Sequence, residues 1–385
     1  MSAADIYSPD PNLLERKFAF YLAQRSAAHG GGKHPSEAQV HAIRRITRWC
    51  IGLAALAGIL SGGVIGGTEI WMRYGIFDGM DDVGWRVSWP YWAAFYAFVG
   101  VVSAVEIAAL YALALSGIAR ITQHSGMTLS DSERRGFFTH SLARAGLEFP
   151  NPQVKIYGMD PYAHVANWKL TALNIAYKLK VGVSSFILRV FLRRVAARMA
   201  IRGMVPLIAG PLYAVWNAYI IWRIMIESRL RALGPFAVDT VMATHFDSPD
   251  APNRTEADVI WHAAGEMMTR GRDAHPNQIY LMTLLRQALK RDADTDLDWP
   301  ATRQHLSTLD TAGQTRVLDV LTVSCVIGSS VRKEQTEFLR SACHDCGAML
   351  DADRLKSLYK ALKRGDAVTA SMLADTRSVG SPVAD

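Results

Sequence analysis

Charge is missing from long stretches of this chain. Trp49 to Thr68 contains no Asp, Glu, Lys or Arg, and Val87 to Ala119 contains one, Glu106. A bilayer core of about 30 Å needs roughly 20 apolar residues of helix. Lipid offers no water to loose backbone groups, so apolar runs of this length become helices. The two runs therefore read as membrane-crossing helices over 49–68 and 90–119, together a transmembrane hairpin of 49–119. Trp49 and Trp71 put indoles about 33 Å apart along a helix, one at each interface. Trp85, Trp89, Tyr91 and Trp92 repeat the anchoring at the start of the second run. The competing reading is a helical hairpin buried in a soluble core.

Other shortages narrow the function. There are only four cysteines, one inside an apolar run, which is no disulfide framework and suits a reducing compartment. Met1 to His34 is polar and has no early apolar core, so it does not read as a signal peptide. Phosphate-binding glycine loops, nucleophile elbows and zinc-protease motifs are missing. No enzyme and no cofactor is expected. Period-two alternation is also missing, which leaves an all-α chain. The formal charge of +7 does not point to nucleic acid, because the basic residues cluster beside the apolar runs. There they suit anionic lipid head groups on the cytoplasmic side.

The chain divides as follows. Residues 1–48 read as cytoplasmic amphipathic helices, Pro11–Ala28 and one capped by Ser36 that leads into the first apolar run. After the hairpin, 120–180 is a cytoplasmic helical linker region, with a capping box at Ser130 and Glu133. Residues 181–226 carry a basic amphipathic helix with Arg189, Arg193, Arg194, Arg198 and Arg202, which is expected to lie on the membrane surface. A third uncharged run, 203–222, follows; Pro206, Gly210, Pro211 and Asn217 interrupt it. It crosses, or dips in and returns, or pairs with the arginine helix, and an arrangement that returns the chain to the cytoplasm is favoured. Residues 237–370 read as a separate soluble helical bundle, and 371–385 as a disordered tail.

Basic residues set the orientation. Arg16, Lys17, Arg25, Lys33, Arg44, Arg45 and Arg48 precede the first run, and only Arg73 and Arg86 lie between the two. Arg120, Arg134, Arg135 and Arg144 follow the second. This bias puts the N-terminus, the middle region and the C-terminal bundle in the cytoplasm of a bacterial inner-membrane protein.

Within the first run, Gly58, Gly62 and Gly66 recur every four residues, as do Gly63 and Gly67. Such faces let another helix approach closely, in the same chain or in a second copy; local flexibility is the alternative use. Glu106 falls near the middle of the second run. An acid at that depth is costly and faces protein or water. It is either a site, for instance for a transported proton or cation, or a structural hydrogen-bonding group. Asn217 is the other polar candidate, whereas Glu69 is expected to be solvated. Cys343 and Cys346 share a helix face with Cys325 within reach, but a fourth zinc ligand is missing, so core packing is the expected role. Asp292, Asp294, Asp296 and Asp298 alternate as a calcium loop does, but Leu297 and Arg303 occupy its glycine and final-acid places.

The stretch from Val320 to Leu362 resembles the second half of a TerB-like domain, the helical domain named from tellurite-resistance proteins and found in membrane-linked DnaJ relatives. That family has an acidic Asp-Gly-x-Val turn between two helices and an acidic residue opening the second. Here Gly328 stands in the Asp place and Ser329 in the Gly place, while Val331 and Glu334 match. The resemblance implies a helical interaction domain, in envelope or stress response, without the carboxylate that would help bind a divalent ion. The expected role is to anchor this domain at the bilayer for a protein partner. A small transporter or channel using Glu106 is the rival.

Overall fold

The computed structural model describes residues 11–26, 34–77, 84–127, 132–172, 205–247, 252–291 and 297–379. They are almost entirely helical. Chain order is α1 (Leu13–Ser26), α2 (Glu37–Ile70) closed by a π-helical turn (Trp71–Ile76), α3 (Trp85–Ser125), α4 (Ser132–Gly146) and α5 (Val205–His245). Then come α6 (Arg254–Gly271), α7 (Pro276–Ala288), α8 (Trp299–Leu306), α9 (Thr311–Val326), α10 (Lys333–Asp345), β1 (Ala348–Leu350), α11 (Ala352–Arg364), α12 (Ala370–Ala374) and β2 (Arg377–Val379).

Two compact units result. One contains Met1–Arg44, Ile118–Ala166 and Ile226–Asp385; the other contains Arg45–Gly117 and Asn167–Met225.

The second unit is built from α2 after Arg44, α3 as far as Gly117 and α5 as far as Met225. Among the described residues two helical stretches, Glu37–Ile76 and Trp85–Ser125, are long and apolar enough to cross a membrane. Run 203–222 is not among them. Its described part is the start of α5, where Gly210, Pro211, Asn217 and two tyrosines dilute the apolar character. Gly58 and Gly62 of α2 face Tyr213 and Gly210 of α5, so residue numbers fall along α5 as they rise along α2. The two helices are antiparallel.

A Cβ on Gly58 would lie 2.6 Å from the Tyr213 and Ala214 backbone, and one on Gly62 would lie 2.6 Å from Gly210 Cα. Only glycine allows that approach. Gly66 is also buried. A Cβ on Gly63 or Gly67 would meet nothing within 4 Å; these two stand on the outer face. At the other end of the hairpin, Ile65, Met72, Phe77, Phe95 and Val99 form an apolar cluster.

The first unit is a helical assembly around α6, whose Trp261 is fully buried. Asn253 caps α6 through the Glu256 N–H, Asp310 caps α9 through the Gly313 N–H, and Asp351 caps α11 through two N–H groups. These caps satisfy donors that helix starts leave open. The α1 helix docks on α4 through buried Glu15, which pairs with Arg144 at 3.0 Å and His140 at 3.2 Å.

The unit does not begin at 237. That position lies inside α5, whose second half buries Leu230, Leu233, Phe236, Val238 and Val241. Leu230 O accepts a hydrogen bond from Asn277 Nδ2 at 2.9 Å, and Arg231 donates to Ser141 O of α4. The C-terminal helices thus share their core with 118–166 as well as with α5. The apolar spacing of α5 continues through Gly234 and Pro235, where a sequence reading expects a break.

Three further features mark the C-terminal part. Helix α8 fills 299–306, capped by Asp298, which accepts from Ala301 N at 3.1 Å. Residues 348–350 and 377–379 pair as antiparallel strands, with Ala348 opposite Val379 and Leu350 opposite Arg377. Residues 371–379 are therefore structured, because Arg377 is held at 2.6 Å by Asp319 of α9 and Leu373 is buried.

Candidate functional site

The second unit is inverted relative to a water-soluble core. Its outward side chains are apolar: Trp49, Leu53, Leu56, Ile59, Leu60 and Val64 on α2, and Val101 and Val105 on α3, the last two 63% and 65% exposed. On α5, Leu212, Val215, Tyr219 and Trp222 form an exposed stripe at helical spacing. The interior holds, beside apolar residues such as Ile65, Phe95 and Val99, the polar side chains of Ser61, Ser103, Glu106 and Asn217, all buried. Of the most apolar window of α3, only 22% is buried.

At the centre of this interior, Asn217 Nδ2 donates to Glu106 Oε1 at 2.6 Å. The sequence marked both residues separately, and α5 brings them together. Ser103 stands one turn before Glu106 and Tyr213 one turn before Asn217, both buried. Ser61 is occupied locally, donating to Gly58 O at 3.3 Å. The amide N–H serves a carboxylate oxygen or the carbonyl oxygen of a protonated acid equally well. Chemically, the pair ties α3 to α5 and places one ionisable group inside the unit. Glu69 is not solvated: it is 8% exposed and bonds Arg73 one turn on at 3.2 Å.

A second polar cluster, in the first unit, was not legible in the sequence. Glu227 of α5 receives Arg231 Nε at 2.9 Å, His275 Nε2 at 3.2 Å and Ser329 Oγ at 3.3 Å. Burial alone would raise its pKa, but the Arg231 guanidinium and the His275 contact hold it well below the usual carboxylate range. Tyr359 donates to Ser329 O, and burial pushes its phenol up. Ser329 lies in the turn between α9 and α10, and Glu227 lies 102 positions away. Only the spacing of Glu227 and Arg231, one helical turn, signalled any of this. Glu334, which opens α10, pairs with Arg272 at 2.9 Å on the surface.

Cys325 and Cys343 are core residues, and Cys346 is half-buried. Cys325 and Cys343 are fully buried, and burial raises them to about 12 and about 11; Cys346 is raised to about 12 by burial and then by Cys343. Thiols held protonated are poor metal ligands and nucleophiles. Among the described residues no three of His, Cys, Asp and Glu are placed to share a metal ion. Arg189, Arg193, Arg194, Arg198 and Arg202 lie outside the described residues, as do Asp292, Asp294 and Asp296.

Comparison with protein-family models, with curated proteins and with solved structures finds no match for the chain.

Proposed function

We propose that the chain is an integral protein of the bacterial inner membrane that anchors a cytoplasmic helical interaction domain. In this reading α2 and α3 cross the bilayer, and the first half of α5 packs along them. The observation that carries it is the inversion of the second unit, with large apolar side chains outside and Ser61, Ser103, Glu106 and Asn217 inside. Soluble monomers rarely expose contiguous apolar surface on this scale, whereas intramembrane polar groups turn inward.

The composition of the first unit supports the topology. Residues on both sides of the hairpin and from Ile226 onward belong to one compact body, which supports a reading in which they share one face of the bilayer. The basic flanks Arg44, Arg45 and Arg48 assign that face to the cytoplasm. The α9–turn–α10 segment supports a TerB-like interaction domain in envelope or stress response, with Ser329 serving Glu227 in place of a metal-binding turn. Glu106 then acts as a structural tie.

Alkaline carbonate extraction of membranes from expressing cells tests the reading. The full chain is expected in the pellet; recovery in the supernatant contradicts it. Transport is the outcome that would displace the scaffold role, seen as a proteoliposome flux abolished by Glu106→Gln at equal insertion.

A further inference from the structure

Arg229 occupies an unusual place in the first unit. It is 9% exposed, and its Nε has no hydrogen-bond partner. The carboxylate it senses is Asp366, but both Asp366 oxygens are already taken. Oδ1 receives Arg44 Nη2 at 2.7 Å, and Oδ2 receives Arg364 Nη2 at 3.0 Å. Glu227, two residues before Arg229 on α5, is committed to Arg231, His275 and Ser329. Among the described residues no acid forms an ion pair with Arg229.

Lys363 stands in the same neighbourhood: two residues on, a Cβ on Gly365 would lie 3.0 Å from Leu233 Cδ1, one turn after Arg229 on α5, and 3.4 Å from Val40 Cγ1, one turn before Arg44 on α2. Lys363 lies in the last turn of α11, and its Nζ sits 4.5 Å over the Tyr359 ring. No acid within the described residues forms an ion pair with it either. Arg44 completes the group, since its Nε donates to Arg364 O at 3.0 Å. Three cations thus stand around the Asp366 carboxylate, which is shared with a fourth cation, while Glu227 is taken by its own partners.

A buried cation without a partner is costly. The cost appears in the titration of both unpaired groups. Burial, then Arg44, brings the Arg229 guanidinium down to about 10, against the pull of Asp366. Burial, together with Arg229, lowers the Lys363 ammonium, against the pull of Glu227. An anion between them would relieve both.

We propose that Arg229, Lys363 and Arg44 form a binding site for a phosphate-bearing anion. Guanidinium groups match phosphate oxygens in pairs, and an ammonium adds a point charge. The favoured source is a phospholipid head group. Arg229 lies about 10 Å past Trp222 along α5, and Arg44 about 7 Å before Trp49 along α2, at 1.5 Å per residue. Head groups occupy the zone just beyond the hydrocarbon core. The lipid source rests on the membrane reading above; the phosphate chemistry of the site does not.

The test uses the full chain in a neutral detergent, with thermal unfolding followed against ligand concentration. The probes are phosphatidylglycerol, phosphatidylcholine and inorganic phosphate. Arg229→Met keeps the aliphatic packing and removes the charge, and Lys363→Gln removes the more exposed cation. The wild type is expected to be stabilised by phosphatidylglycerol and not by phosphatidylcholine, with apparent affinity at least about tenfold weaker in Arg229→Met and reduced in Lys363→Gln.

Stabilisation by inorganic phosphate alone, lost in both variants, keeps the site and assigns it a soluble ligand. The proposal is overturned if none of the probes stabilises the wild type, or if both variants respond as the wild type does. Either result leaves the membrane reading standing when the chain still pellets after carbonate.

Discussion

Asn217 reaches from α5 to donate its side-chain amide to Glu106 of α3 at 2.6 Å, across 111 residues of sequence. The bond fixes the rotation of α5 about its own axis. With Asn217 turned inward, Leu212, Val215, Tyr219 and Trp222 are left facing outward. The same rotation brings Tyr213 and Gly210 onto Gly58 and Gly62 of α2. One polar contact and two glycines therefore place three helices.

Replacing either partner should loosen that arrangement modestly. Hydrogen bonds between membrane helices average ~0.6 kcal/mol and reach ~1.7. Glu106→Leu and Asn217→Leu are each expected to lower the unfolding midpoint in detergent, and the double variant to lose less than the sum. Glu106→Gln, which keeps an acceptor, should stay near wild type. Strictly additive losses would show that the two side chains do not interact.

The glycines make a sharper contrast. Gly58→Ala and Gly62→Ala put a Cβ 2.6 Å from backbone atoms of α5, a contact only a backbone shift can relieve. Overpacking of this kind costs about 1–3 kcal/mol. Gly63→Ala meets open space and should be neutral or slightly stabilising, since alanine favours helix over glycine by ~1 kcal/mol. The comparison is read from thermal unfolding of the three variants, and equal behaviour would contradict the α2–α5 packing.

Acid should weaken the first unit through Glu227. Its folded pKa lies below the unfolded value, so its contribution is complete above ~4.3 and is lost as pH falls from there towards the depressed folded value. Glu227→Gln is expected to cost about 1.5–3 kcal/mol near neutrality, the range for hydrogen bonds to charged groups. It should also flatten the acid limb of the stability profile. An unchanged limb between pH 5 and 3, values chosen around ~4.3, would place the acid sensitivity elsewhere.

Much of this fold was readable from apolar spacing, and the parts that were not have identifiable causes. The helices at α6, α7, α9, α10 and α11 follow directly from side chains at helical intervals and from caps such as Asp310 and Asp351. The run through Gly234 and Pro235 defeats such a reading, because both residues usually end helices. Here a Cβ on Gly234 would overlap the Asn277 amide, so the glycine serves a close crossing and not a break. Strands β1 and β2 are three residues each, too short for alternation to show. At the candidate site, Glu106 and Asn217 stood out as polar residues in apolar runs. Their pairing depends on how α5 packs, which no local pattern encodes. The Glu227 cluster draws on residues from α5, the start of α7 and the turn before α10, so only the folded chain displays it.

A fragment beginning at 237 would sever α5 and discard Leu230, Leu233 and Phe236, together with the α4 partners Phe138 and Ser141. The Phe138 ring meets Tyr280 at 5.3 Å. Such a fragment is expected to be helical by far-ultraviolet circular dichroism but without the near-ultraviolet signal of fixed Trp261 and Tyr280. A native-like near-ultraviolet spectrum and cooperative unfolding would show that the shared core is dispensable.

Sidedness in intact cells tests the membrane-anchored arrangement most directly. In a Cys346→Ser background, where Cys50, Cys325 and Cys343 remain but are buried, a cysteine added at Gly84, beside the connection between α2 and α3, or at His305, in the first unit, is treated with a membrane-impermeant maleimide in spheroplasts. Gly84→Cys is expected to label without permeabilisation, and His305→Cys only after it. Labelling of both from outside, or of neither until the membrane is opened, would contradict a hairpin that crosses the bilayer with the helical unit in the cytoplasm.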